Sequence, residues 1–144
     1  MAVEPNAAQI AELVDAAKGA GDGPVVMLNL NRYRDVADYD GAEEISGREA
    51  YGRYGEVALR TLPRLGAHIL WHAEAGQTVV GGEGEQYDEI LAVWYPNRQA
   101  FLALATDPEV VAALPHRAAG LERAAIICCE SGAEPVLSGI ELSA

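Results

Sequence analysis

The stretch YDEILAVWYPNRQAF, residues 87 to 101, joins an apolar run, Ile90 to Tyr95, to Pro96 and then to an amphipathic pattern. That pattern is led by Asn97, Phe101, Leu104 and Ala105, so the segment reads as a strand running directly into a helix. A second unit of the same kind, Val25 to Tyr33 followed by a helical pattern from Ser46, makes the chain two similar strand-helix halves.

Working outward, Asn6 with Gln9 three residues later is a helix-capping pair, and Ile10, Leu13, Val14 and Ala17 recur at helical spacing. An N-terminal helix and linker over residues 1–23 therefore precede a core spanning 24–131. In the first strand, alternation puts Val26, Leu28 and Leu30 on one face, expected to be the core face. Met27, Asn29 and Asn31 fall on the other, expected to line a cavity or meet a partner. The acidic segment Asp35–Glu44 has little hydrophobic periodicity and reads as a solvated connection or a flap. Ser46 and Glu49 form a capping box for a helix carrying Tyr51, Tyr54, Ala58, Leu62 and Leu65, which Pro63 and Gly66 bring to an end. Ala67–Ala75 is a second strand, joined by a glycine-punctuated hairpin to the strand ending at Tyr95. Asp107 and Pro108 start a short helix through Leu114, and Ala124–Ser131 is the last strand. Residues 132–144 form a C-terminal arm with enough apolar side chains to dock.

Length and composition set bounds. A chain of 144 residues, 50% apolar and 22% charged, suits one globular domain with a real core. Its formal charge of −12 repels phosphate backbones and anionic membrane surfaces, so neither a nucleic acid nor a membrane is an expected partner. The start lacks the basic and apolar segments of a signal peptide, and no apolar run approaches the roughly 20 residues that span a bilayer. A cytoplasmic protein is expected. Cys128 and Cys129 are adjacent on a strand and point to opposite faces, a poor geometry for a mutual disulfide. No zinc-type spacing of Cys and His is present, so no metal site is expected.

The α+β order, with an extra N-terminal helix, is the ferredoxin-like arrangement, an antiparallel sheet with helices on one face only. The bare face needs a cover, and two copies can cover it for each other around a cavity, as a homodimer. Val26-Met27-Leu28-Asn29-Leu30, Ser46-Gly47-Arg48-Glu49-Ala50-Tyr51 with Arg53-Tyr54, Tyr87-Asp88-Glu89, Tyr95-Pro96-Asn97-Arg98 and His116-Arg117 together resemble the DUF1330 family of dimeric α+β barrel proteins. The resemblance, running from about Val25 to Glu130, implies the dimeric barrel fold and transfers no catalytic residue. Related barrels include cofactor-independent monooxygenases, isomerases, dehydratases and cyclases acting on small molecules, a fold analogy.

Three groups are candidates for catalysis. His68 and His72 lie four apart on a strand, hence on one expected face, where imidazoles can exchange protons near neutral pH without any cofactor. His72 is the first choice as base, against a plain role for both in the sheet rim and hairpin. Asp88 can orient an imidazole or simply terminate the hairpin. Substrate-binding candidates are Asn29 and Asn31, whose carboxamides can hold a carbonyl or enolate oxygen, and Arg48, Tyr51 and Tyr54 on the capped helix. Trp94 can shape a pocket or fill the core, and the pair His116 and Arg117, placed in a loop, can close over a ligand or hold the last strand. The expected function is acid-base chemistry of the isomerase, cyclase or monooxygenase type on a small, partly hydrophobic oxygenated metabolite. The alternative is a barrel that binds a small molecule without converting it, or an accessory protein.

Overall fold

A computed structural model describes residues 3–19, 21–41 and 43–130. The C-terminal arm, 132–144, lies outside the described residues. Helix α1 (Ala7–Lys18) opens on its capping box: the Asn6 side chain accepts from the Gln9 N–H at 2.8 Å, and the Gln9 side chain accepts from the Asn6 N–H at 2.9 Å. Strand β1 (Val25–Tyr33) leads through the acidic loop to α2 (Gly47–Thr61), capped by the Ser46 hydroxyl on the Glu49 N–H at 3.0 Å. A 3-10 turn, Leu62–Leu65, ends at Gly66, whose φ of 71° favours glycine. Then come β2 (His68–Glu74), β3 (Glu89–Tyr95), α3 (Arg98–Thr106), α4 (Pro108–Gly120) and β4 (Leu121–Cys129).

The sheet order is β2-β3-β1-β4 with every neighbour antiparallel, which is the ferredoxin-like topology. The helices pack on one face. Val25 and Met27 of β1 and Val93 and Tyr95 of β3 meet Leu62, Ala100, Leu104 and Val110 in the main core. Helix α1 lies on α3, where the Gln99 side chain donates to the Ala17 carbonyl at 3.1 Å and Asp22 accepts the Arg98 N–H at 2.8 Å.

The core face of β1 is the reverse of the expected one. Val25 and Met27 are buried under the helices, carrying Asn29, Asn31 and Tyr33 to that side, whereas Val26, Leu28 and Leu30 belong to the face without a helix. Both faces of this central strand are apolar at its start, so alternation sorts residues into two sets without saying which set the helices cover. The uncovered face also carries Ile90 and Trp94 of β3, Trp71 of β2 and Ile127 of β4. Trp71 and Ile127 are about half exposed there.

Three further expectations change. Helix α4 does not stop at Leu114; it runs to Gly120 with Pro115 inside it, so His116 and Arg117 are helical. The pull is tertiary, because Ala113, Arg117, Ala119 and Gly120 are all buried, and this packing outweighs the lost backbone bond at proline. Strand β4 correspondingly begins at Leu121. The acidic loop joins a satellite core, with Ala37 buried against Ala50 and Ala119 and flanked by Tyr39 and Ile45. Its backbone is pinned by Ala37 N–H to the Ile45 carbonyl and Asp38 N–H to the Ala119 carbonyl, both 2.8 Å.

Candidate active site

On the helix side of the sheet, the far ends of β1, β2 and β3 meet the first turns of α2. Period-two alternation from the core residue Met27 places Asn31 and Tyr33 inward, and from Val93 it places Glu89 inward on the neighbouring strand. The Tyr33 hydroxyl donates to Glu89 Oε1 at 2.5 Å. The other carboxylate oxygen, Oε2, lies 3.8 Å from His72 Nδ1 and 3.9 Å from Arg48 Nη1. Arg48 forks onto Glu74, with Nη1 donating to Oε1 at 3.1 Å and Nη2 to Oε2 at 2.9 Å, and its guanidinium lies 4.8 Å from the Tyr33 ring centre. Tyr51 packs on both Tyr33 and Tyr54, with ring centres 5.4 and 5.5 Å away.

Beneath these groups sits Asn31, 2% exposed, whose Nδ2 has no hydrogen-bond partner. Burial raises the pKa of the Tyr33 and Tyr51 phenols, and the hydrogen bond to Glu89 raises that of Tyr33 further, while the adjacent Asn31 amide opposes the rise in both. These phenols are therefore neutral donors at physiological pH. The Glu89 carboxylate, held by the Tyr33 hydroxyl, lies between Tyr33 and His72.

His72, Arg48, Asn31 and Tyr51 are thus brought together, with Tyr54 stacked behind Tyr51 and touching the main core. His68 is not among them. The pairing of β2 with β3 shifts register between Ile69 and Trp71, so His68 lies opposite Trp94 and His72 opposite Leu91. A residue spacing of four gives one face only in an unbroken strand; the bulge turns the two histidines to opposite faces. His68 stacks on Trp94 at 5.7 Å on the uncovered side. Asp88 faces neither histidine by any short contact among the described residues. Its carboxylate accepts the Tyr33 N–H at 2.8 Å and its own N–H donates to the Asn31 carbonyl at 2.7 Å, stapling β1 to β3.

Asn29 donates to the Met27 carbonyl at 3.0 Å and the Leu91 carbonyl at 3.4 Å, which is a structural use of its amide. His116 Nδ1 and the Tyr39 hydroxyl share a 2.6 Å hydrogen bond that anchors the acidic loop. Arg117, buried, donates to the Val3 carbonyl at 2.5 Å and pairs with Glu4 at 3.5 Å, so it ties down the N-terminal segment. Tyr33, Glu89 and Glu74 belong to the site although sequence reasoning missed them. Counting by twos from the core residues would have found the first two.

Two recesses lie at the β2–β3 hairpin. One of about 300 Å³ is lined by Arg32, Tyr33, Gln77, Tyr87, Asp88 and Glu122. The other, about 590 Å³, opens on the uncovered sheet face between Leu30, Ile90, Ala125 and Ile127 and the hairpin residues Val79 and Val80. Among the described residues, no group of three or more His, Cys, Asp or Glu is placed to hold a metal ion. No helix among them is long and apolar enough to cross a membrane.

Two crystal structures are similar over nearly the whole chain. The methylated RPA0582 protein is 29% identical over 90% of this chain and 93% of its own, with a TM-score of 0.82. The RPA0582 protein of unknown function from Rhodopseudomonas palustris is 30% identical over 88% and 93%, with a TM-score of 0.78. A protein of unknown function from Bacteroides fragilis, described as dimeric with a ferredoxin-like fold, is 22% identical over 75% of this chain and 96% of that one, at a TM-score of 0.49. No curated protein matches the chain. The family described as "Domain of unknown function (DUF1330)" matches residues 41–130, the segment that holds Arg48, Tyr51, His72 and Glu89, and the chain belongs to that family.

Proposed function

We propose that this protein is a cytoplasmic enzyme using its own acid-base groups, without a cofactor, on a small, partly hydrophobic oxygenated molecule. The reaction is of the isomerase, cyclase or monooxygenase type, and His72 is the base. The supporting observation is the run His72–Glu89–Tyr33 at 3.8 and 2.5 Å, set over a buried amide. It joins a group able to accept a proton, a carboxylate facing it, and a hydroxyl donor that fixes the carboxylate. The adjacent cysteines, Cys128 and Cys129, are unpaired, which fits a reducing compartment.

The same proposal makes the protein a homodimer in which two uncovered sheet faces meet. Val26, Leu28, Leu30, Ile90, Trp94 and Ile127 form an apolar face that a second copy covers at the lowest cost, by a twofold axis. Native mass spectrometry of the purified protein, with the same sample then denatured, tests both parts. A dimer retaining a small organic molecule supports them, and a monomer at micromolar concentration overturns the dimer.

A second reading has its own observation. The 590 Å³ recess on the uncovered face is lined mainly by apolar side chains, with no histidine beside its carboxylates Glu74 and Glu85, which suits retention of a ligand without conversion. Leu30→Trp fills that recess. Loss of the retained molecule in this variant would favour the binder, whereas loss in His72→Ala would favour the enzyme.

A further inference from the structure

Burying an amide N–H without a partner is costly, and native structures rarely leave one so unless something else satisfies it. Asn31 stands in that position on β1, one of the two inner strands, 2% exposed, with no hydrogen bond made by Nδ2 and the Tyr33 and Tyr51 phenols beside it. Its neighbour Asn29, on the same strand and face, uses the equivalent atom on two carbonyls. The contrast is local: one amide is consumed by the fold, and the next, on the same face as His72, is not.

The charges around it favour one kind of acceptor. Glu74 and Glu89 face a single guanidinium, Arg48, whose two terminal nitrogens are already engaged by Glu74, with His72 beside Glu89. The nearby Arg117 is occupied by Glu4 and the Val3 carbonyl. An anionic ligand would sit next to Glu89 with no free cation among these groups to receive it. A neutral carbonyl oxygen needs only the N–H donor, and a donor aimed at the oxygen gains strength as negative charge builds there.

We propose that Asn31 Nδ2 is the seat for the carbonyl oxygen of a neutral ketone or aldehyde substrate, selected over carboxylates of the same shape. This rests on the active-site reading above and names its substrate class. Asn31 polarises the carbonyl, and His72 takes the proton from the adjacent carbon: the C–H electron pair moves into the new C–C π bond, the C–O π pair moves onto oxygen, and the proton rests on the imidazole.

The test uses 4-hydroxyacetophenone against 4-hydroxybenzoate on the full chain, read by the Asn31 side-chain amide resonances and by the infrared carbonyl stretch of carbon-13-labelled ketone. The ketone is expected to move the Asn31 resonances, lower its own carbonyl frequency on binding, and bind about tenfold more tightly than the acid. Asn31→Leu should weaken the ketone by about tenfold while unfolding at no lower denaturant than the parent, since it removes an unpaired buried donor. Asn31→Asp, which keeps the shape and loses the donor, gives a second check on affinity. Equal affinity in the variants, tighter binding of the acid, or unmoved Asn31 resonances would each overturn the carbonyl seat. If His72→Ala still abolishes turnover in that event, the active-site reading survives and only its substrate class falls.

Discussion

The Tyr33 hydroxyl donates to Glu89 Oε1 at 2.5 Å, joining the end of β1 to the start of β3 across 56 residues of sequence, and it is the contact around which His72 and Arg48 are arranged. A hydrogen bond to a carboxylate is worth roughly 1.5–3 kcal/mol, and Tyr33 is buried. Tyr33→Phe should lower stability by about 2 kcal/mol, read as a fall in the urea midpoint at unchanged slope. A midpoint equal to the parent's would mean that this contact does not hold the site.

Gly47 and Gly120 let α2 and α4 touch backbone to backbone. A Cβ at Gly47 would lie 2.3 Å from the Arg34 carbonyl oxygen and 2.6 Å from that of Gly120, and one at Gly120 would lie 2.4 Å from the Gly47 carbonyl oxygen. The obstructing atoms are backbone, so the helices must part, at a cost of about 2–3 kcal/mol. Gly47→Ala or Gly120→Ala should lower Tm by roughly 6–10 °C. Gly52→Ala, whose Cβ meets nothing within 4 Å, should not.

Burial raises four tyrosine pKa values: Tyr54 up to about 12, and Tyr33, Tyr51 and Tyr95 upward as well. The unfolded chain releases these protons near pH 10, whereas the folded chain holds them to higher pH. Between the two, the unfolded state binds fewer protons and stability falls as pH rises. Four phenols at about 1.4 kcal/mol per pH unit each give a slope of roughly 5 kcal/mol per unit above pH 10. In a Tyr39→Phe/Tyr87→Phe background, which leaves only these four phenols, unfolding and tyrosinate absorbance should change in one cooperative step; gradual tyrosinate formation in a folded protein would contradict it.

The uncovered sheet face predicts its own disruption. Leu28 lies on it in the central strand β1, between Ala92 and Ile127. Leu28→Glu should give a folded monomer by light scattering and circular dichroism, because a carboxylate at the middle of an apolar interface is left without a partner. A dimer that persists in this variant would place the contact elsewhere.

Much of this arrangement is legible in residues that act locally. Asn6 with Gln9, Ser46 with Glu49, Asn97 and Asp107 cap the helices where their side chains say they should, because a cap is settled within one turn. The site is less legible because it depends on parity along strands. One bulge near Leu70 separates His68 from His72, and one apolar strand start hides which face of β1 the helices cover. Pro115 reads as a stop because the packing of Gly120 on Gly47, which carries α4 past it, comes from a helix some 70 residues away.

The most direct trial of His72 as the base is to incubate the protein with a metabolite extract of its native cells and follow the extract by mass spectrometry, comparing the parent with His72→Ala and His68→Ala. The expected result is that the parent consumes at least one metabolite, His72→Ala slows this by at least about a hundredfold with its fold intact, and His68→Ala, altered on the opposite face, retains it. Consumption that survives His72→Ala, or that is lost only in His68→Ala, would contradict an active site on the helix side of the sheet.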